Sequence, residues 1–331
     1  MILTTNTARE TSLSDIGKII LEANKILLIT HYRPDGDAIG SSIALASSLS
    51  RLGKEVLCLN RDETPNYLRF LENEEISMQQ EIPSEWQAAD LIIALDCATI
   101  ERLGADQVAA LPNATVLTID HHITNERYGN HLLLNDKAAA TGEILHKLIT
   151  ENNFPLPPQA RDALYVAIST DTGSLQYSNS SALTYGVMAD LVANGADVAT
   201  LNAQMYFSHS VRRIEILQEC LKEFKLTHQG QVSHWVLPYA AQEAVGIQAG
   251  DMEGLMDLLR GIDGVRVCFT LEEAKSGVMR LSMRSKDESV DVSKICGHFG
   301  GGGHRMAAGA ALNVPLENSA QQVLAILEKS L

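Results

Sequence analysis

The chain has no surplus of positive charge. Its 331 residues carry 26 Lys and Arg against 41 Asp and Glu, a formal charge of −15. Proteins that track a long nucleic-acid backbone draw most of their affinity from clustered cations, and no basic stripe is visible. Long nucleic acid is therefore not an expected partner. Small phosphorylated ligands are favoured, since bound divalent cations offset acidic charge locally. Long apolar runs are also missing. None approaches the ~18–20 residues of a bilayer span, so no membrane partner is expected. Met1 to Thr7 lack the basic start and apolar stretch of a secretory signal. The five cysteines (Cys58, Cys97, Cys220, Cys268, Cys296) form no C-x-x-C pair and have no zinc-ligand spacing. An odd, scattered set of thiols fits a reducing compartment, and a cytoplasmic protein is expected. Aromatics make up only 5% of the chain against 45% hydrophobic residues, which suits an Ala/Leu/Ile-rich α/β protein. There is no internal repeat and no low-complexity tract.

What is present is a strand–helix alternation. Apolar, strand-like runs lie at Ile26–Thr30, Val56–Leu59, Leu91–Leu95 and Val116–Ile119. Helical segments separate them, notably Ala38–Leu52 and Arg102–Leu111, and Ser12-Leu13-Ser14-Asp15 reads as a capping box ahead of another. Further helices are predicted at Thr141–Thr150, Pro157–Thr170 and Ser181–Asn194. The fold class is α/β, with a mostly parallel sheet flanked by helices in a larger N-terminal domain. The expected boundaries are 1–196 for that domain, 197–220 for a helical connector and 221–331 for a smaller C-terminal α/β domain. In the latter, Leu221–Thr227, Gln231–Leu237, Val265–Leu271 and Val278–Met283 read as strands around a helix at Met252–Leu259.

Strand ends carry the chemistry. The run Thr115–Ile119 stops abruptly in Asp120-His121-His122. Adjacent residues on a strand point to opposite sides, so one imidazole can face an ion while the other stays with a substrate. The first strand delivers His31-Tyr32-Arg33-Pro34-Asp35-Gly36-Asp37, the third ends in Asp96, and an apolar helix ends in Asp171-Thr172-Gly173. In open α/β sheets, ligands bind outside the carboxyl ends of the strands. Taken singly, Asp35 reads as a helix cap, Asp96 as a strand-end acid and Asp171 as a polar helix terminus. Jointly, carboxylates and imidazoles without thiolates suit Mn²⁺ or Mg²⁺. They exceed the needs of one ion, so two ions sharing a carboxylate is the economical arrangement. Paired divalent ions suit attack on a phosphoryl centre. Further on, Arg280, Ser282 and Arg284 alternate on one strand face, ahead of Gly300–Gly303 and His304. Guanidinium groups clamp phosphate bidentately, and glycines let backbone N–H groups approach a ligand. Arg102 follows Asp96 closely enough to reach the site, but a surface helix position is favoured.

In order along the chain, H-x-x-x-D-x-D, the strand-end Asp, D-H-H and D-T-G resemble the motifs of the DHH phosphoesterase superfamily. The segment Gly297–Gly309 resembles the G-G-G-H signature of the DHH-associated C-terminal domain. The resemblance spans essentially the whole chain and is nearest the nano-RNase group. It implies two Mn²⁺, with Mg²⁺ or Co²⁺ as substitutes. One would be held by His31, Asp35 and Asp96, the other by Asp37, Asp96, His121 and Asp171, with Asp96 bridging. His122 would face the scissile phosphate and act with Asp96 in catalysis, while Asp120 supports the histidines from behind. Arg280, Ser282, Arg284, Gly301, Gly302, Gly303 and His304 would bind substrate across an interdomain cleft.

The implied activity is Mn-dependent hydrolysis of short RNA oligonucleotides and linear dinucleotides such as pGpG or pApA. Dephosphorylation of 3′-phosphoadenosine 5′-phosphate (pAp) goes with it. A family relative acting on pyrophosphate or polyphosphate is the enzymatic alternative, and a non-catalytic nucleotide-binding sensor is the alternative of another class. The sequence leaves a homodimer open and does not rank pAp against dinucleotides.

Overall fold

A computed structural model describes residues 3–248, 250–252 and 254–331. The chain forms two compact units that meet between Ser208 and His209, inside the segment read as a connector. In the first unit the order is β1 (Arg9–Glu10), α1 (Leu13–Glu22), β2 (Lys25–Thr30), α2 (Gly36–Arg51), β3 (Glu55–Leu59), β4 (Met78–Gln79), β5 (Leu91–Leu95), α3 (Ala105–Ala110), β6 (Thr115–Asp120) and β7 (His131–Leu134). Then come α4 (Thr141–Glu151), α5 (Pro158–Asp171), α6 (Ala182–Ala193) and α7 (Val198–Tyr206).

The strands form one sheet in the order β1-β7-β6-β5-β2-β3-β4, and every pairing is parallel. Its central strands are the four apolar runs. They read as continuous because both faces are covered. Ile26, Leu28, Ile93 and Leu95 join one core with α1, α2, α4 and α5. Leu27, Ile29, Ile92 and Ala94 join a second on the opposite face. The added strands β1, β4 and β7 are short edge or near-edge pieces of two to four residues, below the length at which periodicity is informative.

Helix α2 is buried almost throughout, which its Gly, Ala and Ser content permits. It packs on α5 so closely that a Cβ at Gly40 would lie 2.6 Å from the Ala163 carbonyl and 2.9 Å from the Ala167 methyl. This contact matters for the site, because α2 opens with Asp37 and α5 closes with Asp171. At α1, Ser12 caps the helix by accepting from the Asp15 amide, and its hydroxyl donates to the Asp15 carboxylate.

The second unit holds α8 (Val211–Lys222), β8 (Lys225–Thr227), β9 (Val232–Leu237), α9 (Tyr239–Val245), α10 (Met256–Arg260), β10 (Val267–Glu273), β11 (Met279–Ser285), α11 (Val292–Gly297), β12 (Gly302–His304), β13 (Ala307–Leu312) and α12 (Leu316–Leu327). Its mixed sheet runs β12-β13-β11-β10-β9-β8.

Three local expectations are corrected. The helix predicted over Arg102–Leu111 is a 3₁₀ turn at Ile100–Leu103 followed by α3, because Gly104 takes φ +89° between them. The strand predicted from Leu221 begins only at Lys225, since α8 runs through Lys222. Of the helix predicted over Met252–Leu259, Glu253 lies outside the described residues, and the described ones form a helix at Met256–Arg260.

Candidate metal centre and phosphate-binding strand

The carboxyl ends of β2, β5 and β6 converge with the last residue of α5. His31 follows β2 and is 1% exposed. Its Nδ1 lies 3.0 Å from the Tyr32 carbonyl, the kind of contact that fixes a ligand histidine with Nε2 turned to an ion. His31 Nε2 is 3.8 Å from Asp35 Oδ2 and 3.6 Å from Asp96 Oδ2. Asp35 also caps α2, accepting from the Ala38 amide at 3.1 Å. The cap reading and the ligand reading therefore coexist.

The other side of Asp96 meets the second group. Asp96 Oδ1 lies 3.6 Å from His121 Nε2, which is also 3.5 Å from Asp171 Oδ2 and 3.9 Å from Asp37 Oδ2. His121 Nδ1 approaches the Ala138 carbonyl at 3.3 Å. Asp37 is anchored by the N-terminus of α4, accepting from the amides of Thr141 at 2.6 Å and Gly142 at 2.9 Å, and from Ser41 Oγ at 3.0 Å. Asp96 accepts from Thr141 Oγ1 at 3.1 Å. It is also a non-glycine residue at φ +51°, a costly backbone state that persists where surrounding structure over-determines it. Two tight sets of ligand atoms result, His31–Asp35–Asp96 and Asp37–His121–Asp171, with Asp96–His121–His122 a third overlapping set.

The D-H-H triplet divides its work. Asp120 is fully buried. Its Oδ1 accepts from the His121 amide at 2.8 Å and holds His122 Nδ1 at 2.8 Å, while Oδ2 accepts from Asn125 Nδ2 at 2.6 Å. It thus sits behind the histidines. The two imidazole rings are 4.6 Å apart at 65°.

The electrostatics are those of a crowded, buried cluster of carboxylates and imidazoles. Burial alone would lower His31, yet Asp35 and Asp96 raise it to about 10. Burial likewise opposes the charge on His121, but Asp171, Asp96 and Asp37 raise it to about 9. Asp37 is pushed well up by burial and by the neighbouring charges of Asp96 and Asp171. Burial, with Asp35 and Asp96 adding to it, lifts Asp171 to about 7. Carboxylates crowded this closely repel unless a cation lies among them. Oxygen and imidazole donors with no thiolate among them match hard divalent cations, so the residues fit Mn²⁺ or Mg²⁺. Cys97, next to Asp96, is buried and directs its thiol to the Thr99 carbonyl instead.

In the second unit, Met279, Leu281 and Met283 of β11 are buried and Arg280, Ser282 and Arg284 take the opposite face. Across β13 they pair with Ala311, Gly309 and Ala307. On its far side β13 pairs with β12, setting His304 opposite Ala307 and Gly302 opposite Gly309. Arg284 and His304 therefore flank the same alanine, over a floor of small residues. Arg280 lies 3.7 Å from Glu272. The glycine run has a packing cause. A Cβ at Gly301 would fall 2.1 Å from the Gly309 carbonyl, and one at Gly303 2.6 Å from the Ala307 carbonyl. At Gly302 nothing lies within 4 Å, so packing makes no demand for glycine there.

The DHH family N-terminal domain matches residues 25–168, and the DHHA1 domain matches residues 237–331. The bifunctional oligoribonuclease and PAP phosphatase NrnA of Thermus thermophilus is 30% identical over 308 residues, covering 92% of this chain and 90% of that protein. This chain belongs to the DHH family and is of the NrnA type. The Bacillus subtilis protein of the same name is 26% identical over 309 residues, 92% of this chain and 93% of that one. Among solved structures, an exopolyphosphatase-related protein from Bacteroides fragilis superposes with a TM-score of 0.86 at 25% identity, covering 96% of this chain and 95% of that one. No helix among the described residues is long and apolar enough to cross a membrane.

Sequence reasoning missed several residues at the family site. Thr141, Asn125 and the Ala138 carbonyl carry no motif signal. For Arg102, a surface helix position is favoured by the sequence over reach into the site. In the structure it is half-buried, and its Nη2 lies 2.9 Å from His31 Nδ1. Gly104, two residues on, was the available sign that the helix would break there.

Proposed function

We propose that this chain is a divalent-cation-dependent phosphoesterase that degrades short oligoribonucleotides and linear dinucleotides to mononucleotides and removes a phosphate from pAp. The observation that carries the reading is Asp96. One of its carboxylate oxygens faces His31 at 3.6 Å and the other faces His121 at 3.6 Å, so a single side chain serves two ligand sets. NrnA relatives spanning the same length support the substrate class.

On this reading His31, Asp35 and Asp96 hold one Mn²⁺, and Asp37, Asp96, His121 and Asp171 hold the other. The ions supply a nucleophilic oxygen near neutral pH and stabilise charge at phosphorus. The protein supplies orientation. The carbonyls of Tyr32 and Ala138 set the ligand tautomers of His31 and His121, and Asp120 aims His122, the residue assigned to the scissile phosphate. Arg284, with Arg280, Ser282, Gly301 to Gly303 and His304, is assigned the terminal phosphate and the substrate end. Five free, buried cysteines fit a cytoplasmic setting.

The test is one panel with Mn²⁺: pApA, pGpG, a pentanucleotide, a 24-mer, pAp, pyrophosphate and polyphosphate. Turnover of dinucleotides and pAp, with little on the 24-mer, is expected. Polyphosphate forms the second reading because of the Bacteroides fragilis relative. Turnover of polyphosphate in place of dinucleotides selects it. No turnover on any member, with Mn²⁺ and nucleotide bound, selects a sensor. Arg284→Ala should cost roughly 2–3 kcal/mol of transition-state stabilisation, as lost charge-assisted hydrogen bonds do, and flatten the preference for short substrates.

A further inference from the structure

Beside the acidic cluster, on the same ends of the strands, lies a small cationic rim that none of these assignments uses. Tyr32 projects from the loop after β2. The Arg61 guanidinium lies 4.4 Å from the centre of its ring, and that of Arg102 lies 6.0 Å away. The three residues come from three different loops, and hydrogen bonds tie these together. Asn60 Nδ2 donates to the His31 carbonyl at 2.7 Å, the Arg33 amide donates to Asp62 Oδ2 at 2.6 Å, and the Tyr32 amide donates to the Arg102 carbonyl at 2.8 Å. The place is therefore built.

Its charges are poorly neutralised. Arg61 has a long contact of 3.4 Å to the adjacent Asp62, its side chain being 44% exposed. Arg102 forms no ion pair with a carboxylate among the described residues; its partner is His31 Nδ1. A guanidinium has donors only, and a ring nitrogen 2.9 Å away neutralises none of its charge. In a chain of net charge −15, a cation held at the edge of five carboxylates has a use if the acceptor arrives with the ligand.

We propose that Tyr32, Arg61 and Arg102 form a nucleotide-phosphate subsite on the first unit. The guanidinium groups of Arg61 and Arg102 take phosphate oxygens, and the Tyr32 ring packs the arginines in place and offers a face to the nucleoside. The inference deepens the phosphoesterase reading and rests on it for the ligand class. It adds phosphate contacts on the unit that holds the candidate metal site, where the sequence placed only His122 against phosphate and put the substrate-binding residues in the C-terminal part.

The test is calorimetric titration of the Mn²⁺-loaded full-length protein with AMP, with adenosine as the control. The variants are Arg61→Ala, Arg102→Ala and Arg102→Lys. Each alanine variant should weaken AMP at least about five-fold, the scale of a lost charge-assisted contact at a partly exposed site. Arg102→Lys should recover part of that loss, and Mn²⁺ affinity and melting temperature should stay at wild-type values. Unchanged AMP affinity in both alanine variants would overturn the subsite, as would equal binding of adenosine and AMP by the wild type. A parallel fall of Mn²⁺ and AMP affinity in Arg102→Ala would show that Arg102 merely props His31. The two readings fail separately. A protein that binds AMP through these arginines but hydrolyses no member of the substrate panel refutes the phosphoesterase function alone. Wild-type hydrolysis by both alanine variants, with undiminished AMP binding, refutes the subsite alone.

Discussion

Loading the site with ions should expel protons, and the number follows from the geometry. His31 titrates at about 10 and His121 at about 9. Both are cationic at pH 7.5 in the metal-free protein, and both must be neutral to offer Nε2 to an ion. Filling the site should therefore release about two protons from the histidines. Asp37, pushed well up, and Asp171, at about 7, add further release. Between pH 6.5 and 8.5 the apparent affinity of each ligand set should rise roughly ten-fold per pH unit for each proton displaced, or about 1.4 kcal/mol. The rise should flatten once pH passes the values of the two histidines. The measurement is Mn²⁺ titration calorimetry in buffers of different ionisation enthalpy, which counts protons directly. The metal-free protein gives a second readout with a definite sign. A histidine raised in the folded state stabilises fully below the unfolded value near 6.5, and that stability is lost as pH rises through about 9 to 10. A carboxyl raised to about 7, as at Asp171, also makes the fold lose stability as pH rises from near 4 to 7. Metal-free stability should thus decline from mildly acidic pH toward pH 10, and saturating Mn²⁺ should remove most of that decline. Ion affinity independent of pH, with no proton released, would refute the assignment of His31 and His121 as ligands.

Asp96→Asn should abolish turnover and lower the number of Mn²⁺ bound, while metal-free melting holds or rises, because one charge leaves a repelling cluster; wild-type turnover at saturating Mn²⁺ would exclude a bridging carboxylate. His121→Ala should weaken Mn²⁺ binding and respond to added Mn²⁺, whereas His122→Ala should lower the rate with metal binding little changed; equal loss of metal affinity in both would reject that division. Gly40→Ala should destabilise the fold by about 1–3 kcal/mol through overpacking of α2 on α5, seen as a lower denaturation midpoint, and should weaken metal binding because that contact sets Asp37 beside Asp171; an unchanged midpoint would mean that the Ala163 backbone yields.

The candidate metal site was legible because its residues are potential hard ligands at the ends of long apolar runs. His31, Asp96 and Asp120 each follow or end a strand whose interior is buried on both faces, and the break from apolar to ionisable marks the place. Fold class was legible for the same reason, since the four central strands are continuous apolar stretches. The short strands were not, because Arg9–Glu10 and Met78–Gln79 are two residues each and owe their state to the neighbour they pair with. The glycine run was legible as a special backbone but not in its cause. Gly301 and Gly303 are required by close approach to β13, a steric demand that Gly300 and Gly302 do not share. For Arg102 the sequence offers both the site and the surface and favours the surface, and what tips it the wrong way is a missed break. An unbroken helix from Arg102 would have turned the guanidinium with the helix surface. Gly104 at φ +89° ends the 3₁₀ turn early, the Arg102 carbonyl is then taken by the Tyr32 amide, and the side chain lies against His31. One left-handed glycine thereby decides whether a cation faces solvent or the acidic cluster, and whether the first unit can grip a phosphate on its own.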